Sequence, residues 1–149
     1  MLLDKPVVCG PVNPGAIVSC EVYGFFDHSA VVVDHESIVE LHGSGLVRRV
    51  SYQRFIQQRS GEHFMVACSA TSTPLRQRPE ETVKRALEWV FHLRGYDPLS
   101  NNCHRFTWHC LTGRDEPLTT FAEFNQHLRQ HFQQTVRWCR WEALSERSI

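Results

Sequence analysis

Ser-Asn-Asn-Cys-His-Arg-Phe-Thr-Trp-His-Cys-Leu-Thr-Gly, residues 100–113, is a polar loop that runs into an apolar, aromatic segment and stops at a glycine. The pattern predicts a helix over 103–111 that opens at Asn102–Cys103 and closes on Gly113. A cysteine in the first helical turn feels the positive end of the helix dipole, and backbone N–H groups without helical partners point at its sulfur. Both effects favour thiolate over thiol, and the thiolate is the nucleophile. Cys103 is therefore a candidate nucleophile, and its own backbone N–H is a candidate oxyanion donor. Alone, a helical cysteine is most often an inert small hydrophobe. What changes the reading is a base that can reach it.

Residues 26–43, Phe-Asp-His-Ser-Ala-Val-Val-Val-Asp-His-Glu-Ser-Ile-Val-Glu-Leu-His-Gly, offer that base. Two β-branched runs, 28–33 and 38–42, flank the polar turn Asp34-His35-Glu36-Ser37, which is a hairpin signal. Residues two apart in a strand share a face, so His28, Ala30 and Val32 stand together, as do Ile38, Glu40 and His42. A turn near Asp34 places His28 across from Glu40, at about 5 Å, where a carboxylate can orient an imidazole. Nucleophile, base and orienter would then be Cys103, His28 and Glu40. His42 shares Glu40's face and is the rival orienter. Tyr23 and Asn102 are further candidates to orient a group or to help stabilise an oxyanion.

The rest of the chain supplies the scaffold. Strands are predicted over 16–22, 46–50 and 63–68, and a short helix capped by Ser51 over 52–58. Pro79 with Glu80 and Glu81 opens a helix whose stripe is Val83, Ala86, Leu87, Val90 and Phe91. Thr120 and Glu123 form a capping-box pattern before a long amphipathic helix with Phe121, Phe124, Leu128, Phe132, Val136 and Cys139 on one face. At its end, Arg137, Trp138, Arg140 and Trp141 could contact a membrane surface peripherally, although packing on the core is the plainer expectation. Strands first and helices after reads as α+β, with an antiparallel sheet packed on helices. The division expected is a main domain over 1–118 and a C-terminal helix, within 119–149, packed on it or extending it.

Composition narrows the function. The 149 residues suit one domain. Lys plus Arg and Asp plus Glu are both 16, so no basic balance points to nucleic acid. No apolar run reaches membrane-spanning length. The first ten residues hold Asp4 and Lys5 and no apolar signal core, so a cytoplasmic location is expected, with non-classical export left open. The cysteines at 9, 20, 68, 103, 110 and 139 contain no Cys-x-x-Cys pair, and reduced thiols are the default. Cys103 and Cys110 lie about 10 Å apart along a helix, too far to share one tetrahedral ion with the histidines between them. No metal is expected.

The two quoted stretches carry a resemblance. Residues 26–43 are similar to the histidine hairpin of the lecithin:retinol acyltransferase-like proteins, a circularly permuted branch of the NlpC/P60 papain-like superfamily. Residues 96–113 resemble that family's Asn-Cys-Glu-His-Phe box, and Asn13-Pro-Gly-Ala-Ile-Val-Ser-Cys20 resembles its opening strand. The order, histidine before cysteine, is that of the permuted branch. The box keeps Asn102, Cys103 and Phe106, but His104 and Arg105 replace the usual Glu-His. The vertebrate second histidine falls on Glu40, where bacterial members carry glutamate.

The resemblance implies a permuted papain-like fold and a cysteine hydrolase or acyltransferase that works through a thioester acyl-enzyme, without a cofactor. The expected partner is a small-molecule, lipid or peptide substrate. Phe25 and Phe26 beside His28 favour a lipid acyl ester. The alternative is a peptide or isopeptide amidase of NlpC/P60 type, for which Arg48, Arg49 and Arg105 could hold a charged stem, as in a secreted effector. A catalytically silent module, like viral members thought to act through partners, is the non-enzymatic reading.

Overall fold

The computed structural model describes residues 7–9, 12–22, 26–57, 64–95, 97 and 102–142. The elements run β1 (Val7–Cys9), β2 (Ile17–Val22), β3 (Phe26–Val32), β4 (Ser37–Leu41), β5 (Val47–Ser51), α1 (Tyr52–Gln57), β6 (Phe64–Cys68), α2 (Pro79–Trp89), α3 (Cys103–Thr112), α4 (Phe121–Phe132) and β7 (Arg137–Glu142). The seven strands form one sheet in the order β1-β7-β6-β2-β3-β4-β5. The fold is α+β, a multi-stranded sheet packed against helices. The sheet is antiparallel except at one edge, where β1 runs parallel to β7.

Alternation along the strands gives the sheet two apolar faces. Ile17, Val31, Val39 and Leu41 meet Ala86 of α2, Phe106, Trp108, Cys110 and Leu111 of α3, and Phe124 and Leu128 of α4. The opposite face gathers Val18, Cys20, Ala30, Val32, Ile38, Val50, Val66, Cys139 and Trp141 with Phe55 of α1. The sheet curls to cover that second face. Tyr52 and Phe55 follow β5 at one end of the strand order. Yet Tyr52 meets Trp141 of β7 at 4.4 Å between ring centroids, and Phe55 stacks on Phe64 of β6 at 5.1 Å. Contacts across that span require a strongly coiled sheet.

Local chemistry sets the boundaries. Gly15 takes φ +92°, and a Cβ there would lie 2.6 Å from Cβ of Pro79, so the Asn-Pro-Gly turn seats the start of α2 directly. The Ser51 hydroxyl accepts from the Arg54 N–H at 3.2 Å and opens α1. Thr120 caps α4 through the Glu123 N–H at 3.1 Å.

Two expectations change. The stripe of α2 does not continue to Phe91: the helix stops at Trp89, Val90 is extended and Phe91 is left-handed. The backbone turns away to hydrogen-bond β5 instead, Phe91 N–H to Val47 O and Val47 N–H to His92 O. Phe91 is left 85% exposed rather than in the core. The C-terminal helix is also shorter than its apolar pattern. It ends at Phe132 with Gln133 left-handed, and residues 137–142 form β7. The reason lies in periodicity: Cys139 and Trp141 join the inner core while Trp138 packs outward on Phe121, a period of two. Trp138 and Trp141, expected at the end of a helix, therefore pack on the two faces of the sheet from a strand. Among the described residues no helix is long and apolar enough to cross a membrane.

Candidate active site

The site is built where β3 meets the start of α3. Asn102 is the N-cap of α3, with extended backbone, and its Oδ1 accepts from the His104 N–H at 2.9 Å and the Arg105 N–H at 3.1 Å. Its Nδ2 donates to the Leu118 carbonyl at 2.5 Å, tying the helix start to the segment before α4. The carboxamide thus acts as cap and tether. Gly113, at φ 77°, closes the helix as expected.

The hairpin differs from its expected register. The registered pairs, Val31 with Val39 and Val32 with Ile38, are centred on His35, so Glu40 is not directly across from His28. Asp34 explains the shift. Its carboxylate accepts from the N–H groups of Glu36 and Ser37, both at 2.8 Å, and holds a longer turn. Glu40 therefore lies diagonally across from His28, a separation that long side chains span. The two meet: His28 Nε2 lies 2.8 Å from Glu40 Oε1. His42 engages Ser44 at 2.9 Å.

Glu40 is fully buried and held from both sides. Its cross-strand neighbour Arg48 donates from Nε to Oε2 at 2.6 Å. A buried carboxylate without such partners would be costly. Arg48, a candidate contact for a peptide stem, is thus engaged by Glu40. Its strand parity with Glu40 was the available signal for the clamp. Arg49 and Arg105 also have carboxylate partners, Asp34 and Asp115.

His28 and Cys103 are both buried, and each influences the ionisation of the other. Burial alone would lower the His28 value, but the charge and hydrogen bond of Cys103, then those of Glu40, raise it to about 9. Burial alone would raise the Cys103 thiol. His104 and His28 together reverse that and hold it well below the ordinary thiol range. Burial pushes the thiols of Cys68 and Cys110 up instead.

His104 is the group that sequence reading registered only as a departure from the family box. Its Nδ1 lies 3.9 Å from the Cys103 sulfur and 2.9 Å from the Ser29 hydroxyl, which in turn donates to Thr107 at 3.1 Å. Its ring stacks on Phe124 at 5.2 Å. The signal was strand parity at Ser29, one residue beyond His28 and on the face that α3 covers.

Tyr23 and Phe25 lie outside the described residues. Phe26 opens β3, and its side chain likewise lies outside the description. Among the described residues no group of three or more His, Cys, Asp and Glu side chains is placed to hold a metal ion. No family model matches the chain, and the search of curated proteins finds no match.

Proposed function

We propose that the protein is a cysteine-dependent hydrolase or acyltransferase of the permuted NlpC/P60, lecithin:retinol acyltransferase-like kind, with Cys103 as nucleophile, His28 as base and acid, and Glu40 as orienter. The observation that carries the reading is the 2.8 Å contact of His28 with a fully buried, Arg48-clamped Glu40, with a helix-start thiol whose ionisation His104 and His28 favour. The likeness of the two motifs to that family supports the same roles.

In this reading the Cys103 proton already rests on His28. The sulfur attacks an ester or amide carbonyl, and the oxyanion is met by the Cys103 backbone N–H at the positive end of α3. The imidazolium then protonates the leaving group as the tetrahedral adduct collapses to a thioester. Water, or another acceptor deprotonated by the now neutral His28, attacks the thioester and frees the thiolate. With Nε2 turned to Glu40, Nδ1 is the His28 nitrogen that serves Cys103. Engagement of Arg48, Arg49 and Arg105 with carboxylates supports an ester or acyl substrate over a charged peptide stem.

Intact-mass analysis after incubation with short-chain thioesters, phospholipids and muropeptides tests the reading. An acyl adduct mapped to Cys103 is expected from the first two. Cys103→Ala should abolish it and lower turnover by several orders of magnitude, the scale of a lost nucleophile. An adduct from muropeptides alone would reverse the substrate order. No adduct, with Cys103 inert to iodoacetamide, would refute the enzyme and leave a binding module.

A further inference from the structure

The Ser29 hydroxyl carries one proton, and that proton is donated to Thr107 Oγ1. Its 2.9 Å contact with His104 Nδ1 must then run the other way, with Ser29 accepting. His104 Nδ1 therefore bears a hydrogen, whatever the state of its other nitrogen. The same Nδ1–H faces the Cys103 sulfur at 3.9 Å. Ser29 and Thr107 are fully buried and His104 nearly so, so water does not compete to reset the tautomer. Phe121 and Phe124 flank the ring and fix its plane.

We infer that His104 is a positioning residue for the nucleophile: its single Nδ1–H, held by Ser29 at 2.9 Å, is shared in a three-centre hydrogen bond with the Cys103 sulfur at 3.9 Å. This rests on reading Cys103 as the nucleophile. It assigns a task to the histidine that stands where the resembling family carries glutamate. The two histidines divide the work. His28 exchanges protons, because Glu40 and Arg48 behind it stabilise its charged form. His104 holds the sulfur in place, because its partner Ser29 is a neutral hydroxyl and the α4 side chains against it are aromatic. A donor that keeps its proton throughout the cycle keeps the sulfur ionised and aimed after His28 has given its proton to the leaving group.

Two measurements test this. In wild-type protein, ¹⁵N spectra of the His104 ring should show Nδ1 protonated at neutrality; a bare Nδ1 would overturn the inference. The second is the pH profile of Cys103 alkylation by iodoacetamide, read by peptide mass. His104→Phe keeps a ring against Phe124 but loses the donor. It should move the profile up by about one unit, the scale of one hydrogen bond to a charged group, and slow alkylation near neutrality about tenfold. His104→Asn places a neutral amide N–H near the Nδ1 position and should restore most of the rate. An unshifted profile in His104→Phe, or His104→Asn no better than His104→Phe, would refute the donor role. Ser29→Ala, which frees the tautomer, should shift the profile in the same direction and decides the matter if His104→Phe does not fold. The two readings fail separately. A His104-dependent profile without acyl adducts refutes the enzyme alone, and adducts with a His104-independent profile refute this inference alone.

Discussion

At the scale of residues, the pair His28 and Cys103 has a pH signature. A histidine raised from 6.5 to about 9 contributes stability that is whole below 6.5 and is lost as pH rises through 9. A thiol lowered from 9.0 contributes stability that is whole above 9.0 and is lost as pH falls through its own, lower value. Between 6.5 and 9 one contribution falls as the other grows, because folding has only moved a proton from sulfur to imidazole. Just below pH 9, where the two contributions change together, wild-type stability should therefore owe no slope to this pair. Cys103→Ala removes the largest influence that raises His28. An NMR titration should then place His28 at least about one unit below its wild-type value, the effect of losing one close opposite charge. An unchanged value would assign the whole effect to Glu40.

At the scale of elements, the start of α3 is a single small device. Asn102→Ala removes a cap and the tie to Leu118, and should cost about 1–2 kcal/mol, seen as a melting temperature lower by roughly 3–6 °C. A loss below about 0.5 kcal/mol would mean that the cap is redundant. The place of the helix was legible in the sequence because its ends are local patterns, a polar loop before Cys103 and Gly113 ten residues on; the tie of Asn102 to Leu118 spans sixteen residues and was not. The hairpin was legible in parity, and parity alone brought His28 and Glu40 to one face. Its register was less so, since it depends on how the Asp34 carboxylate folds the turn, and no strand pattern encodes that. Residues 133–142 are ambiguous in sequence because Val136 and Cys139 extend the α4 stripe as well as they fit a strand. Only the tertiary partners, Phe121 on one side and Tyr52 on the other, select the strand. The Ser29–His104 contact joins residues 75 positions apart and needs the packing of α3 on β3 to appear.

At the scale of the whole molecule, the aromatic cluster of Tyr52, Phe55, Phe64 and Trp141 closes the curled sheet, and Phe55 also faces the His28 ring at 5.3 Å. Closure and site therefore share a side chain. Trp141→Ala should cost about 3–5 kcal/mol, as large aromatic deletions do in cores, measured by the shift in denaturant midpoint. It should also perturb the His28 titration, from a distance, through Phe55. A cost below about 1 kcal/mol would show that the two ends of the sheet do not share one core.

The placement of β7 between β1 and β6 has a further consequence, for synthesis. Strands are made in chain order, but this sheet cannot be completed in that order. While residues 10–136 emerge, β6 has one partner, β2, and presents an open edge on its other side. Among the described strands, β1 has no neighbour in the sheet until β7 arrives to lie parallel to it. The nascent chain must therefore carry an unpaired edge and a half-filled inner core until β7, the last described strand, has left the ribosome. Ribosome-bound intermediates halted before Arg137 should be protease-sensitive at β6 and should recruit chaperones, whereas chains extended past Glu142 and clear of the ribosome should be released from both.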